Sequence, residues 1–377
     1  MPDARFPEPL HVGRPNIGDR EEFLRLVEGA LDRRWLTNDG PLVREFEERV
    51  AQYTGTKHCV AMVNGTIALE IAIRALGMTG EVIVPSFTFV ATAQSLSWQG
   101  VTPVFADVDP ETHSLDPASV RKLITPRTTG IIAVHLWGRP ADVAALEAIA
   151  EEHGLALLFD AAHAFGVGSG DTMVGGSGRA EVFSFHATKF FNSLEGGAIV
   201  TNDDDIARTA RLMRNFGFAG EDNVVSDGTN GKMTEVCAAM GLANLGAIDD
   251  VIAVNERNYH AYAEALTGIP GVRLYEIGDS GPRNFQYVVL LVDDDCPVDR
   301  DAILASLRDA NVLARRYFWP GCHRMEPYRT THPDAWRDLP VTEKVAGSVV
   351  VLPTGTAVDE DAIRVIAGIV RDTVARS

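Results

Sequence analysis

The amino-acid sequence predicts an α/β protein. Its large domain is a mainly parallel sheet flanked by helices, and a smaller C-terminal α+β domain follows. Three observations predict this. Between residues 58 and 202, short runs rich in Val, Ile and Phe alternate with helical patterns. Those runs are continuously apolar rather than alternating, as in strands covered on both faces. The 377 residues exceed one ordinary core and suit two units, drawn at 1–250 (with an N-terminal arm) and 251–377.

The predicted strands are HCVAMV (58–63), EVIVP (81–85), TPVFADVD (102–109), GIIAVHLWG (130–138), LALLFDAAHAFG (155–166), EVFSF (181–185) and GGAIVTN (196–202). Helical patterns lie between several of them, at 66–76, 88–98, 117–123 and 140–153. Asp116-Pro117 gives the third an N-cap with proline at the first helical position, and Gly154 follows the last residue of the fourth. After residue 203 the texture changes. Helical patterns cover 204–215 and 233–267, strands are read at 284–293 and 347–353, and helices at 299–310 and 359–377. No internal repeat or low-complexity tract interrupts this order.

Hydrophobic residues make up 46% and charged residues 23%, the balance of a soluble globular protein. No apolar run reaches the roughly 18 residues of a membrane span, and the N-terminus has no apolar signal core. A cytoplasmic protein with no membrane partner is expected. The formal charge of −18 repels polyanions and argues against nucleic acid. A small anionic substrate is compatible, given local cations and backbone donors. Cys59, Cys237, Cys296 and Cys322 are spaced for neither a zinc ribbon nor a disulfide framework, so free thiols and no metal are expected.

The chemistry-bearing segment is Ser184-Phe185-His186-Ala187-Thr188-Lys189, directly after a predicted strand and ahead of Glu195-Gly196-Gly197. A desolvated lysine has a depressed pKa and becomes a nucleophile able to form an imine. A lone lysine in such a loop would more often face solvent. Here Asp160 closes a neighbouring strand, and ligands meet parallel sheets at their carboxyl edge. A carboxylate there can hold a ring nitrogen protonated, or simply cap the next helix. His163, three residues on, suits a contact to a cofactor ring, or a packed core position. Gly65-Thr66 opens a helix after the first large-domain strand, where backbone amides bind phosphate or the pair merely caps. Phe89 can stack on a ring or fill a core.

Taken together and in order, the segments resemble the sugar aminotransferases of the DegT/DnrJ/EryC1/StrS family, of the fold-type I pyridoxal phosphate class. The resemblance runs through WLTNDGPLVREFE (35–47), VNGTIALEIAIRALG (63–77), EVIVPSFTFVATA (81–93), PVFADVDPET (103–112), FDAAHAFG (159–166), SFHATKFFNSLEGGAIVTN (184–202), GTNGKMTEVCAAMGLANL (228–245) and LPVTEKVAGSVVVLPTGTAVDED (339–361). It implies pyridoxal 5'-phosphate as cofactor, held covalently by Lys189, with Asp160 on the ring nitrogen and His163 beside the ring. It also implies Phe89 stacked on the ring and Gly65, Thr66 and Ser184 on the phosphate. Asn230 matches the asparagine that a neighbouring subunit sends to the phosphate, so a homodimer with shared sites is expected. Lys232 stands where relatives commonly have arginine, which keeps the charge and loses the bidentate fork. The aromatic stretch ARRYFWPGCHRMEPY brings Arg315, Arg316, Tyr317, Trp319, His323 and Tyr328 toward the substrate, or packs as a connector.

The resemblance further implies glutamate as amino donor and a nucleotide-linked keto sugar as acceptor. Relatives acting at C4 share the HATK…EGG pattern, whereas those acting at C3 tend to carry tyrosine-proline in place of His186-Ala187. The reading is therefore amination of C4 of a dTDP-4-keto-6-deoxyhexose, gluco first, because the acceptor carbonyl must reach the cofactor's amine. A C3 enzyme, a GDP-perosamine-type synthase and a non-catalytic regulatory protein are the alternatives. No GxGxxG follows the first large-domain strand, and no P-loop is present.

Overall fold

In the computed structural model, residues 5–170, 172–278 and 280–376 are described. β1 (Leu10–His11) precedes α1 (Arg20–Arg33) and α2 (Pro41–Thr54). The central sheet draws on β2 (His58–Met62), β3 (Glu81–Pro85), β4 (Thr102–Ala106), β5 (Thr128–Val134) and β6 (Ala156–Asp160). Between them run α3 (Gly65–Ala75), α4 (Val90–Ser97), α5 (Pro117–Leu123) and α6 (Val143–His153). A ribbon of β7 (Gly168–Ser169) and β8 (Thr172–Met173) leads to β9 (Ala180–Ser184) and β10 (Gly197–Thr201). The order is β2-β10-β9-β6-β5-β3-β4. β10 runs antiparallel to both neighbours, and the other pairs are parallel. The expected mainly parallel α/β sheet is therefore present.

Side chains alternate across this sheet as the strand period requires. Val82, Val84, Ile132 and Leu158 enter the core beside α3 and α4, whereas Ile83, Ile131, Ala133, Leu157 and Phe159 enter the core beside α6. Asp160 follows Phe159, so the same alternation turns its carboxylate toward α4.

α7 (Asp204–Arg214) is followed by the hairpin β11 (Phe218–Gly220) and β12 (Asn223–Val224). The pattern over 233–267 is two helices, α8 (Glu235–Leu245) and α9 (Ile248–Ala265), bent by 62° at Gly246-Ala247. Glycine is a poor interior helix residue, and the break falls there. The buried carboxylate of Glu235, in the first turn of α8, accepts from Leu42 N (3.1 Å) and Val43 N (2.9 Å), capping α2, whose own N-cap Gly40 has no side chain to do so.

The C-terminal part is built on β13 (Val272–Leu274) and β14 (Val288–Val292), with α10 (Arg300–Asp309) and β15 (Val312–Leu313) before the last strand, β16 (Val349–Leu352). β13, β14 and β16 form an antiparallel sheet in that order. Helix Glu360–Ala375, α10 and the end of α9 cover it. The chain start packs here too. β1 pairs in parallel with β15, and Phe6 and Leu10 join this core. Several predicted strands are shortened, among them those from 284 and 347, which cover only Val288–Val292 and Val349–Leu352, and three in the large sheet. The strand from 102 ends at Ala106, because Asp107 leaves the ladder to accept from Val341 N and Thr342 N. The strand from 130 ends at Val134, with Trp137 in the left-handed region (φ 54°). The strand from 155 ends at Asp160, and the chain turns at once. Among the described residues, no single helix is long and apolar enough to cross a membrane, and all four cysteines are free.

Candidate active site

A cavity of 430 Å³ opens at the carboxyl ends of the parallel strands. Parallel sheets expose loop backbone and helix N-termini at that edge, which makes it the ordinary place for a ligand. Lys189, Asp160, His163, Gly65, Thr66, Phe89, Ser184, His186 and Tyr317 all line it. These residues are up to 252 positions apart in sequence (Tyr317 against Gly65), and the fold brings them to one cavity.

Lys189 is half-buried on the loop after β9. Its Nζ donates to Tyr287 Oη at 3.4 Å. Burial pushes the ammonium down to about 8, partly opposed by the negative charge of Asp160 and by Tyr317. Asp160 is buried at the end of β6. Its Oδ2 accepts from Thr92 Oγ1 at 2.8 Å and its Oδ1 from Ala162 N at 3.1 Å. Burial raises its pKa, and those two donors and the Lys189 charge oppose the rise.

His163 is buried, 4.7 Å from the Tyr287 ring and stacked on Phe318 at 5.8 Å. Burial and then the Lys189 charge hold its pKa well below the usual imidazole range, so it is neutral. Its Nδ1 accepts from Trp137 N at 3.4 Å, which assigns the ring proton to Nε2.

Also on the cavity lining, Asn64 caps α3 by accepting from Ile67 N at 2.8 Å. The first amides of α3, at Gly65 and Thr66, have no carbonyl partner within the helix. A Cβ at Gly65 would lie 2.9 Å from Ser184 Cβ, and one at Gly197 would lie 2.6 Å from Gly65 N. Two glycines thus let β9, β10 and the start of α3 close into a cradle of backbone donors, with the Ser184 side chain beneath. His186 is exposed at the rim, 2.8 Å from Thr188 Oγ1 and 3.5 Å from Glu195 Oε1. Phe89, the N-cap of α4, is 56% exposed, so its ring is free to meet a ligand.

Other expected residues lie elsewhere. Arg316 lines an adjoining cavity of 300 Å³, with Arg308 and Arg315, that shares Thr88, Phe89, Tyr317 and Phe318 with the first. It is held by Asp301 at 3.2 Å. Asn230 is exposed and bridges to Asn215 on the loop after the β11–β12 hairpin, off the cavity wall. Lys232 donates to Asn215 Oδ1 at 3.1 Å and sits 4.9 Å over the Phe216 ring, also off the wall.

The expected contact of His323 with substrate gives way to an internal one. The residue is 2% exposed, its Nδ1 is 2.6 Å from Ser86 Oγ and its Nε2 2.6 Å from Glu343 Oε1, and it lines neither cavity. It fastens the aromatic stretch to the end of β3. Tyr328 is likewise buried, 2.9 Å from Ser97 Oγ.

Sequence reasoning missed Tyr287, Phe318, Thr88 and Thr92. Thr88 and Thr92 carry a signal in hindsight, since four residues apart across a helix start puts two hydroxyls on one face. Tyr287 carries none, because an aromatic opening an apolar strand is ordinary.

A model of the DegT/DnrJ/EryC1/StrS aminotransferase family matches residues 18–371. A dTDP-4-amino-4,6-dideoxy-D-glucose transaminase of Shigella dysenteriae is 36% identical over 365 residues, covering 97% of this chain and 99% of that protein. A GDP-perosamine synthase of Caulobacter vibrioides is 36% identical over 366 residues, covering 96% and 97%. Among solved structures, that of DesI in the presence of its TDP-sugar product superposes with a TM-score of 0.95 at 49% identity, covering 99% of this chain and 95% of that one.

Proposed function

The chain belongs to the DegT/DnrJ/EryC1/StrS aminotransferase family, and on that footing we propose that it moves an amino group from glutamate to C4 of a dTDP-4-keto-6-deoxyhexose, yielding a dTDP-4-amino-4,6-dideoxy sugar of gluco configuration. It is a pyridoxal-phosphate-dependent sugar aminotransferase. The observation that carries the reading is one cavity lined by Lys189, Asp160 and the amide end of α3.

The donor set fits the cofactor. Backbone amides at Gly65 and Thr66, with the Ser184 hydroxyl, suit a phosphate. Asp160 suits a protonated ring nitrogen, Phe89 the ring face, and Nε2–H of His163 the ring oxygen. Bound pyridoxal phosphate supplies an aldehyde that accepts the amino group and a ring that takes up the electron pair left at the donor carbon. The protein's part is to time the proton. Lys189 is lowered to about 8, so a neutral amine is populated at physiological pH, and with the cofactor bound it would carry the proton between the donor carbon and the cofactor carbon on the other side of the shared nitrogen. Asp160 holds the countercharge at the far side of the ring. The walls from Tyr287, Tyr317 and Phe318 keep bulk water from the exchanged proton.

C4 and the dTDP carrier are supported by the names of the Shigella transaminase and of DesI with its TDP-sugar product. The Caulobacter synthase favours a GDP-linked perosamine-type product as the second reading. The adjoining cavity with Arg308, Arg315 and Arg316 is assigned to the nucleotide's diphosphate. A second copy of the chain is assigned to the apolar hairpin, where Phe216, Phe218, Val224 and Val225 are all exposed beside the loop bearing Asn230 and Lys232. From there Asn230 would reach the partner's phosphate cradle. The test is incubation of the purified protein and glutamate with dTDP- and GDP-linked 4-keto sugars and with a 3-keto isomer, the product's configuration being assigned by NMR. The dTDP-4-keto sugar is expected to turn over fastest. Faster amination of the 3-keto isomer would sink the C4 assignment and leave the aminotransferase standing.

A further inference from the structure

Asp160 has a second layer of support, which runs from Thr88 on the cavity lining through Thr92 behind it. Thr92 Oγ1 lies 2.8 Å from Asp160 Oδ2, and Thr88 Oγ1 lies 2.9 Å from Thr92 Oγ1. All three side chains are buried. A carboxylate only accepts, so the single hydroxyl proton of Thr92 is committed to Asp160. The contact between the threonines is then donated by Thr88. The chain has one direction, Thr88 to Thr92 to Asp160, and each donation polarises the next. Local structure sets it up. Phe89 caps α4, Thr92 N donates to Phe89 O at 3.1 Å, and the first turn of α4 swings the Thr92 hydroxyl over the end of β6. With Ala162 N holding Oδ1, each carboxylate oxygen has one fixed internal donor.

We propose that Thr92, oriented by Thr88, is the positioning residue for Asp160: it fixes the carboxylate's rotation, so that the acceptor side facing the cavity is presented to the ring nitrogen of the cofactor. The inference rests on the proposed role of Asp160. A threonine that merely filled space in the α3–α4 core would have no such coupling, since its effect would not depend on what stands at 160.

A double-mutant cycle separates the two, read by equilibrium dialysis of pyridoxal 5'-phosphate against cofactor-stripped full-length protein. Thr92→Val keeps the shape and deletes the hydroxyl. It is expected to weaken cofactor binding about tenfold or more, the scale of a hydrogen bond to a charged group. In an Asp160→Ala background the same change is expected to alter binding by less than about twofold, because the acceptor is gone. Thr92→Ser restores the donor and is expected to bind within about threefold of the parent, which covers the case in which valine disturbs folding. Thr92→Val binding like the parent, or losing the same factor in both backgrounds, overturns the proposal while the role of Asp160 stands. Should Asp160→Ala itself bind like the parent, the role of Asp160 and this inference fall together.

Discussion

The lysine that is to attack an aldehyde must first lose a proton, and the structure says how readily it does so. Burial lowers Lys189 from the ordinary 10.5 to about 8. At pH 7 about one amine in eleven is then neutral, against about three in ten thousand for an unperturbed lysine, a gain of about 300-fold. The perturbation is pH alone, between 6 and 10. The assay is stopped-flow absorbance of the visible, borohydride-reducible band as pyridoxal phosphate is added to cofactor-free protein. Below the inflection the rate should climb close to tenfold per pH unit, and above about 8 it should level off. The sign also fixes a mutant. Asp160 raises the pKa of Lys189 by its charge, so Asp160→Ala should move the inflection to lower pH. For stability the direction is opposite to a paired lysine. The folded chain binds fewer protons than the unfolded one between about 8 and 10.5, so this residue's contribution rises with pH through that window. A rate still climbing tenfold per unit at pH 10 would refute the desolvation argument, because it would describe a lysine in water.

Two further outcomes are expected. Gly197→Ala puts a carbon 2.6 Å from Gly65 N and 2.6 Å from Asn64 C, both backbone atoms that cannot swing aside. Calorimetry should show pyridoxal phosphate weakened about tenfold or more, with unphosphorylated pyridoxal much less affected, and equal losses for the two would disconnect this glycine from the phosphate. Mixing inactive Lys189→Ala and Asn230→Ala proteins should restore about a quarter of parental activity, since random pairing makes half the dimers mixed and each mixed dimer has one complete site of two. No recovery after verified subunit exchange would argue against shared sites.

What the sequence made legible follows the range of the interactions concerned. The central strands were readable because burial on both faces leaves a continuous apolar run, and the ends of those strands carried Asp160 and Ser184 into view. The sequence pattern assigns no helix over α1 and α2. α2 owes its cap to Glu235, 193 positions from Leu42, and no local pattern reports that. Trp137 looked like strand because its neighbours are apolar, yet it sits in the left-handed region beside His163. His323 was misjudged for the same reason. Its partners Ser86 and Glu343 are 237 and 20 positions away, and only in the folded chain do they take both ring nitrogens and turn a candidate substrate ligand into a fastening.

Net charge and site charge also part company here, and the distances explain why. A formal charge of −18 would seem hostile to a phosphate cofactor and a nucleotide diphosphate. Exposed charges beyond roughly 8 Å are screened at physiological ionic strength, so the groups lining the cavities decide. Asp160 is buried and held by two internal donors, Thr92 Oγ1 and Ala162 N, and its proposed partner is a positive ring nitrogen rather than the phosphate. The phosphate cradle is made of amides, which bring positive partial charge with no counter-ion to desolvate. In the adjoining cavity Arg315 lies 5.1 Å over the Tyr317 ring and Arg316 is tied to Asp301, while Arg308 donates to Ala314 O at 3.4 Å. Among the described residues, one of the three guanidinium groups is shared with a carboxylate and two are not, which leaves a local excess of positive charge beside the reaction cavity. An acidic surface can keep polyanions away while these two small neighbouring sites admit anions of limited size.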